Sequence, residues 1–329
     1  MKILITGGTG FIGSRLALRC KQRNYEVVIL AQVNTPAEKE NTEQLKAQGF
    51  QLVIGGVGDK GKVREAVKGC DVVFHLAAAQ HEANKSDQHF WDVNVEGTRN
   101  LLDASIEVGI KRFVHGSTIG VYGVELQGEI SEVSPLKPDN IYGVTKKAGE
   151  ELVLSYQDKL PVAVIRISET YGPGDRRLLK LFKGIAKRSF FVIGSGENKH
   201  QLIYVDDLID AMFLAAETEA ALGEVFVAAG QEILTTNDMV ETISSVLKVE
   251  KIKLRAPMLP FYLLAVLMEL TLKPLGIQPP LHRRRLDFFK KTLYFRQDKP
   301  QQVLGFTSKT SFAEGSAQTA EWYRQQGLL

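Results

Sequence analysis

Short apolar runs alternate with helix-period segments through the first half of the chain. The runs are rich in Val and Ile, and they predict strands at Lys2–Thr6, Glu26–Leu30, Phe50–Ile54, Asp71–His75, Arg112–His115 and Val162–Ile167. Between them, apolar residues recur at helical spacing over Gly13–Arg23, Lys62–Val67, Asp92–Val108 and Gly143–Gln157. This alternation predicts an α/β protein with a doubly wound parallel sheet covered by helices on both faces.

The alternation loosens after about residue 170. Helical spacing returns at 178–188 and Asp206–Glu217, a strand is predicted at Val225–Ala228, and Thr236 or Asn237 is predicted to cap another helix. A length of 329 residues suits one large domain or two. We therefore expect a nucleotide-binding domain of residues 1–170 and a smaller C-terminal substrate-binding lobe of residues 171–329, with some chain exchange between them.

One segment of the second half, residues 258–272, is nearly all apolar. It reads MLPFYLLAVLMELTL, with Glu269 as its only charged residue. Fifteen residues are fewer than the roughly 20 that span a bilayer. The preferred interpretation is a buried helix that lines a substrate cavity. Shallow insertion into a membrane surface, helped by Arg283–Arg285, and a subunit interface stay open as alternatives.

Charge and cysteine content narrow the class of protein. The net charge of +3, from 41 basic and 38 acidic residues, is too small for a protein that binds nucleic acid by neutralising phosphates. The basic run Arg283–Arg285 is expected to be a solvated helix face. Two cysteines without metal-ligand spacing, and an N-terminus without a signal-peptide core, predict a cytoplasmic protein.

Three glycines lie between the first predicted strand and the first predicted helix, in the segment TGGTGFIGSRL at 6–16. Gly7, Gly10 and Gly13 remove side chains where a tight turn needs an unusual backbone conformation. Bare backbone there lets a pyrophosphate approach the N–H groups at the helix N-terminus. The strand–turn–helix context therefore predicts a dinucleotide site.

Seven ordered segments of the chain resemble the extended short-chain dehydrogenase/reductase family, whose members begin with TGGTGFIG. After that segment come HLAAA at 75–79, DVNVEGTRNLL at 92–102, GSTIGVYG at 116–123, YGVTK at 142–146, YGPGD at 171–175 and YVDDLIDA at 204–211. The resemblance is to the NAD-dependent epimerase/dehydratase type, and it implies a Rossmann fold, a nicotinamide cofactor and a homodimer through helices near 92–108 and 143–157. Cofactor contacts are expected from Gly7, Thr9, Gly10, Phe11, Ile12, Gly13, Gly56, Val57, Leu76, Ala77, Ala78, Asn94, Tyr142 and Lys146.

The choice between NAD and NADP stays open at this stage. A dinucleotide site that rejects NADP usually carries an acidic residue about 20 positions after the glycines. The second strand here ends in Ala31, followed by Gln32, and no Arg replaces the acid, although Lys39 could reach the same place. The cofactor is therefore predicted as NAD or NADP.

Tyr142 and Lys146 form the predicted catalytic pair. Four residues apart on a helix, they project from one face. A neighbouring ammonium favours the phenolate, so the tyrosine can exchange a proton with an alcohol while hydride moves. In similar enzymes a Ser or Thr bonds the reacting oxygen, which assigns Thr118, with Ser117 as the fallback. Asn94 either supports the lysine or makes a structural hydrogen bond.

Other polar residues carry weaker predictions. His75 and His115 end parallel strands, where histidines of the core or rim without a ligand role are commoner than ligands. No cluster of His, Cys or carboxylates has metal-ligand spacing, so no metal is predicted. A serine hydrolase is disfavoured because no G-x-S-x-G elbow is present.

The type of reaction is predicted from the positions at which this sequence differs from the family pattern. Sugar 4,6-dehydratases carry Asp-Glu after the catalytic Thr, whereas this chain has Ile119 and Gly120, which disfavours elimination of water. The apolar segment and the C-terminal sequence resemble the 3β-hydroxysteroid dehydrogenase-like branch, which implies oxidation or reduction of an apolar or sterol-like alcohol or ketone. A nucleotide-sugar epimerase is the alternative, and a non-catalytic sensor or scaffold the second. Substrate contacts are expected from Ser117, Tyr171, Arg176 and His200, and Arg177 is a further possible contact for an anion.

Overall fold

A seven-stranded parallel sheet forms the centre of the described part of the chain. The computed structural model describes residues 1–80, 85–126, 128–272, 277, 279–281 and 286–329. Its strands are β1 (Lys2–Thr6), β2 (Glu26–Ala31), β3 (Gln51–Ile54), β4 (Val72–His75), β5 (Arg112–Thr118), β7 (Val162–Ile167) and β12 (Val225–Ala228). The strand order is β12-β7-β5-β4-β1-β2-β3, and every neighbouring pair is parallel. The doubly wound α/β prediction is confirmed.

Helices cover both faces of this sheet and continue into the second half. They are α1 (Phe11–Gln22), α2 (Pro36–Ala47), α3 (Lys60–Val67), α4 (Asp87–Trp91), α5 (Gly97–Val108), α6 (Ile141–Leu154), α7 (Leu179–Ala186), α8 (Val205–Glu217), α9 (Thr236–Leu247), α10 (Met258–Leu272), α11 (Asp298–Leu304) and α12 (Phe312–Gln325). One apolar cluster packs α1 and α8 on one face, and a second packs α3, α5 and α6 on the other. Because β12 joins the sheet from beyond residue 170, the two halves share one framework.

Short two-stranded ladders organise the second half near the carboxyl ends of the sheet. They pair β6 (Gly128–Ile130) with β15 (Leu293–Phe295), β8 (Thr170–Tyr171) with β11 (Ile203–Tyr204), β9 (Val192–Ile193) with β14 (Arg255–Ala256), and β10 (Lys199–His200) with β13 (Leu234–Thr235). A third apolar cluster, which includes residues of α7, α9 and α12, fills the space behind them. The division at residue 170 stays a proposal.

Three local features differ from the sequence prediction. Helix α2 was not predicted, although Thr35 and Glu38 form a capping box with Pro36 at the first helical position. The predicted helix over Asp92–Val108 begins as a π-helical turn at Asp92–Glu96. Helix α9 is capped by Thr235, one residue before the predicted cap, because its hydroxyl accepts from the Asp238 N–H.

The preferred interpretation of residues 258–272 as a buried helix is wrong. The segment is a helix, α10, but of its residues only Ala265 and Glu269 are buried. The neighbouring elements cover one face, and the other face is also apolar, so several leucines remain exposed. No helix among the described residues has the length and apolar character to span a membrane. The basic run Arg283–Arg285 lies outside the described residues.

Candidate active site

A cleft of about 1770 Å³ opens at the carboxyl ends of the central strands. It lies where β1 and β4 are neighbours and the chain turns to opposite sides of the sheet, the position at which ligands bind in such folds. The cleft reaches from the glycine turn to the second half of the chain. Thirteen of the predicted cofactor residues line it: Gly7, Thr9, Gly10, Phe11, Ile12, Gly13, Gly56, Val57, Leu76, Ala77, Ala78, Tyr142 and Lys146.

The glycine turn forms a cradle of bare backbone at the start of α1. Gly7 has a φ of +69°, and a β-carbon there would lie 2.8 Å from the Ala77 nitrogen. A β-carbon on Gly13 would overlap the Gly7 carbonyl oxygen. Among the described residues no side chain caps α1, whose N-cap is Gly10, and its first turn holds no acidic residue. Free N–H groups and a positive helix end fit a pyrophosphate.

The adenosine side of the cleft is lined by the end of β2, the start of α2 and the loop after β3. Ala31, Gln32, Gly56 and Asp59 all face it. Glu38 also lines it, and its carboxylate accepts hydrogen bonds from the N–H groups of residues 34 and 35, each at 2.8 Å. Lys39 is not among the lining residues. The structure thus places a carboxylate, not an ammonium, beside this part of the cleft.

His75 holds the loop after β4 through a buried chain of hydrogen bonds. The Thr98 hydroxyl donates to the Asn94 carbonyl, so it accepts from His75 Nε2 at 2.8 Å. The Thr6 hydroxyl then donates to His75 Nδ1 at 2.7 Å and accepts from the Ala77 N–H. Burial and the Lys146 charge lower the pKa of His75 to about 3. The histidine is therefore a neutral structural link, as the sequence prediction preferred.

Asn94 is buried and lies outside the residues that line the cleft. Its side chain accepts from the Ala79 N–H at 2.8 Å and donates to the Ala79 carbonyl and the Thr145 hydroxyl. The amide thereby ties the loop after β4 to the helix that carries Tyr142. Of the two predicted roles, the structure supports the structural hydrogen bond.

Thr118 and Tyr142 line the cleft on either side of Gly120. A β-carbon on Gly120 would lie 3.4 Å from Thr118 Oγ1 and 3.8 Å from Tyr142 Cε1. The Thr118 oxygen accepts from the Gly120 N–H at 3.0 Å, which leaves the hydroxyl proton to be donated elsewhere. Where a dehydratase would carry an acidic side chain, Gly120 carries none, and its backbone lies in close reach of both hydroxyl-bearing residues.

Lys146 enters the cleft from α6, whose start is fixed by Asn140 as N-cap. Its Nζ donates to the Gly116 carbonyl at 2.7 Å and to His115 Nε2 at 3.3 Å. Burial lowers the pKa of Lys146 to about 8, and the Glu150 carboxylate opposes that shift. The pKa of His115 is also lowered, first by burial and then by the charge on Lys146. Two of the three ammonium protons are thus held by protein, and one remains for a ligand.

Ser117 is tied into a buried ionic network. Its hydroxyl donates to Glu150 at 2.7 Å, and Glu150 pairs with Arg166 at 2.6 Å. Arg166 also donates to the Tyr122 hydroxyl at 2.7 Å. Because the Ser117 hydroxyl already donates its proton to Glu150, the Thr118 hydroxyl is the better donor of a hydrogen bond to a substrate.

The other predicted substrate residues lie outside the cleft lining. The Tyr171 hydroxyl donates to a backbone carbonyl, and Arg176 pairs with Glu40 at 2.5 Å. His200 is buried and lies 3.3 Å from Glu169. The structure therefore gives no support for direct substrate contact by Tyr171, Arg176 or His200.

Charged residues of the second half instead line the far end of the cleft. Five such residues line it, of which the sequence prediction included only Arg177, as a possible anion contact: Glu169, Arg177, Glu269, Asp287 and Lys291. Arg177 donates to the Asp175 carboxylate at 3.1 Å, and Lys291 Nζ lies 3.5 Å from Asp287. They come from separate loops and helices, and no spacing along the chain signals their convergence.

The fold and the cleft together define a dinucleotide-binding type of protein in which a Tyr–Lys pair and the glycine turn line one cleft. The model of the NAD dependent epimerase/dehydratase family matches residues 3–229. The chain belongs to this family, and the extended short-chain dehydrogenase/reductase resemblance is confirmed. A nicotinamide cofactor follows from this membership.

Its relatives carry different activities. The chain is 30% identical to 3beta-hydroxysteroid-dehydrogenase/decarboxylase isoform 2 of Arabidopsis thaliana over 97% of its own length, and it spans 61% of that relative. It is 32% identical to the dTDP-D-glucose 4,6-dehydratase of Mus musculus, over 68% of this chain and 67% of the relative. A crystal structure of UDP-glucuronic acid 4-epimerase from Bacillus cereus with NAD has a TM-score of 0.80, 26% identity and 99% coverage of both chains.

Proposed function

We propose that this protein is an NAD-dependent oxidoreductase that interconverts a secondary alcohol and a ketone. The observation that carries the proposal is that Thr118, Tyr142 and Lys146 line the same cleft as the uncapped glycine turn. The two sets of residues come from different strands and helices, so only the fold brings them together. When bound, the cofactor accepts or supplies the hydride.

The three side chains divide the remaining work. Tyr142 takes the alcohol proton during oxidation and returns it during reduction. Lys146 favours the tyrosinate by its charge and directs its remaining proton to the nicotinamide ribose. The Thr118 hydroxyl donates to the substrate oxygen, because its own oxygen is already engaged by the Gly120 N–H.

NAD is the proposed cofactor rather than NADP. The Glu38 carboxylate lines the adenosine side of the cleft and is held there by two backbone N–H groups. A 2′-phosphate placed near it would meet a like charge, which raises its free energy of binding. Lys39, which could have favoured NADP, does not reach the lining.

The proposed substrate is an apolar, sterol-like alcohol or ketone. The similarity to a plant 3β-hydroxysteroid dehydrogenase/decarboxylase, across 97% of this chain, supports it. Ile119 and Gly120 also provide no acid–base side chain for elimination of water, which fits a simple oxidation or reduction. Helix α10 gives no support from inside the cleft, because its leucines lie outside the lining.

A nucleotide-sugar epimerase is the second candidate, and the charged far end of the cleft favours it. Arg177 and Lys291 line that end and could contact a diphosphate. Against this, both cations already lie beside acidic side chains, Asp175 and Asp287. Their charge is therefore partly neutralised before any anion binds.

A substrate panel with NAD, NADP and their reduced forms tests the proposal. An alcohol dehydrogenase changes the nicotinamide absorbance when offered hydroxysteroids or other secondary alcohols, whereas an epimerase converts UDP- or GDP-sugars without consuming added cofactor. Tyr142→Phe should lower turnover by roughly 10²–10⁴-fold and leave the Kd for NAD nearly unchanged. Full activity in this variant would refute the catalytic assignment and favour a sensor or scaffold.

The proposal also includes the oligomeric state of the protein. We propose a homodimer through α5 and α6, where Ile106, Val108 and Val144 are exposed apolar residues. A cytoplasmic location stays a prediction. A measured mass of one protomer in dilute solution would contradict the dimer.

A further inference from the structure

Helix α10 has two apolar faces, and only one of them is covered. Its inner face packs against the second half of the chain through Phe261, Tyr262 and Ala265, with the Phe261 ring 5.5 Å from that of Phe191. Glu269, on the same face, lines the cleft. The outer face carries leucines that no described element covers. Leu259, Leu263, Leu267 and Leu270 are exposed by 65%, 58%, 57% and 69%.

These four leucines form one continuous stripe. At about 100° per residue they fall within a sector of roughly 80° on the helix, on the side opposite Ala265 and Glu269. Leu264 widens the stripe, and Leu254 is exposed just before the helix. A surface stripe of this kind marks an interaction site in a protein that otherwise buries its leucines.

The sequence that contains this stripe is rich in basic residues, of which Lys273 and Arg283–Arg285 lie outside the described residues. Residues 248–291 carry ten Lys and Arg against three Asp and Glu, a net charge of +7, whereas the whole chain carries +3, so the remainder is at −4. Of these cations, Lys253, Arg255 and Lys290 are exposed in the structure. The Lys290 ammonium lies 4.2 Å from the Tyr262 ring centroid, directly beside α10.

We propose that the outer face of α10 docks on an anionic lipid surface, with the leucines inserted among the lipid chains and the surrounding cations on the headgroups. An apolar helix face next to basic side chains is the pattern by which helices lie in a membrane interface. A second copy of this chain fits less well, because residues 248–291, which include α10, carry a net charge of +7 in each copy and would repel each other.

Docking would also place the cleft beside the bilayer. Helix α10 contributes Glu269 to the cleft on one face and the leucine stripe to solvent on the other. An apolar alcohol dissolved in the bilayer could then enter past α10 without crossing water. This last step rests on the proposed function, whereas docking itself does not.

Co-sedimentation with lipid vesicles tests the proposal on the full chain. Wild type should pellet with vesicles of mixed phosphatidylcholine and phosphatidylglycerol, and several-fold less with phosphatidylcholine alone or at high salt. The variant Leu259→Ser/Leu263→Ser/Leu267→Ser/Leu270→Ser should bind at least roughly tenfold less. Val133→Ser, at a residue 92% exposed elsewhere on the surface, is the matched control and should bind as wild type.

The outcomes separate docking from catalysis. An unchanged Kd for NAD verifies folding of the quadruple variant, and Leu259→Ser/Leu270→Ser replaces it if folding fails. Tyr142→Phe should bind vesicles as wild type, so loss of its turnover concerns the proposed reaction alone. Docking is overturned if wild type stays in the supernatant, if the leucine variants keep binding, or if binding ignores lipid charge and salt. If wild type does not bind vesicles and is a dimer that dissociates in the leucine variants, the outer face of α10 is instead an interface with a second copy.

Discussion

The two ends of the cleft differ in whether backbone or side chains form the lining. At the end that contains the glycine turn, Gly7, Gly13 and Ala77 line the cleft with backbone and small side chains. At the far end the lining is charged side chains from the second half, including Glu169, Arg177 and Lys291. A shared cofactor can be held by backbone that any such fold supplies, whereas a substrate is selected by side chains that each protein varies.

The largest effect is expected from a glycine-to-alanine substitution, which adds one methyl group to the backbone lining of the glycine turn. Gly13→Ala should weaken NAD binding at least roughly 100-fold, because the new carbon would overlap the Gly7 carbonyl and displace the turn. Gly58→Ala is the matched control in the same cleft, since a β-carbon there has no atom within 4 Å. Calorimetric titration of NAD measures both, and equal affinities would show that the turn does not hold the cofactor.

Lys146 lies where the two ends of the cleft meet, and its burial predicts how the free energy of unfolding changes with pH. Its pKa is lowered by burial to about 8, against an ordinary 10.5, so the folded state carries an unfavourable charge below pH 8. That cost disappears as the pH rises from 8 to 10.5. Without cofactor, wild type should therefore gain about 3 kcal/mol in free energy of unfolding relative to Lys146→Met over this range. Urea unfolding of both proteins measures it, and a constant difference would contradict the burial of the charge.

Cofactor choice provides a smaller effect. Glu38→Gln should strengthen NADP binding roughly tenfold, because it removes the like charge from beside the 2′-phosphate. Glutamine can keep the capping box of α2, so NAD affinity should change little. Glu43→Gln, on the exposed side of the same helix, serves as the control. Unchanged NADP affinity in Glu38→Gln would exclude this residue from the discrimination.

The smallest effect is expected at the far end if the substrate is apolar. Arg177→Gln should raise KM only about twofold with kcat unchanged, because the guanidinium already bonds Asp175 and contributes little to an uncharged ligand. Lys291→Gln should behave alike. Steady-state kinetics on the best substrate of the panel measures both. A rise of tenfold or more would reverse the assignment and favour a diphosphate substrate.

The nucleotide half was predictable because its signals are local. The strands at Lys2–Thr6 and Val162–Ile167 were predicted with their observed bounds, since apolar runs mark buried parallel strands. The glycine turn is encoded in eleven consecutive residues. Helix α2 was missed although Thr35, Pro36 and Glu38 carry a start signal, because its exposed sequence has little apolar periodicity.

The far end of the cleft was not predictable for a related reason. Glu269 and Lys291 are distant from Arg177 along the chain and were assigned no role. Tyr171, which begins the segment YGPGD, and His200, which precedes YVDDLIDA, are buried behind the lining. The apolar composition of α10 also led to the wrong prediction of a buried helix, because an apolar sequence does not show which faces of a helix are covered by neighbouring elements.

The sequence by itself determined the parallel sheet, the dinucleotide turn and the Tyr142–Lys146 pair, because hydrophobic period, glycine positions and i, i+4 spacing are properties of neighbouring residues. Only the tertiary structure decided which hydroxyl faces the cleft, which carboxylate borders the adenosine side and which side of α10 meets solvent. These depend on how separate elements pack, and packing is fixed by contacts between residues far apart in the chain.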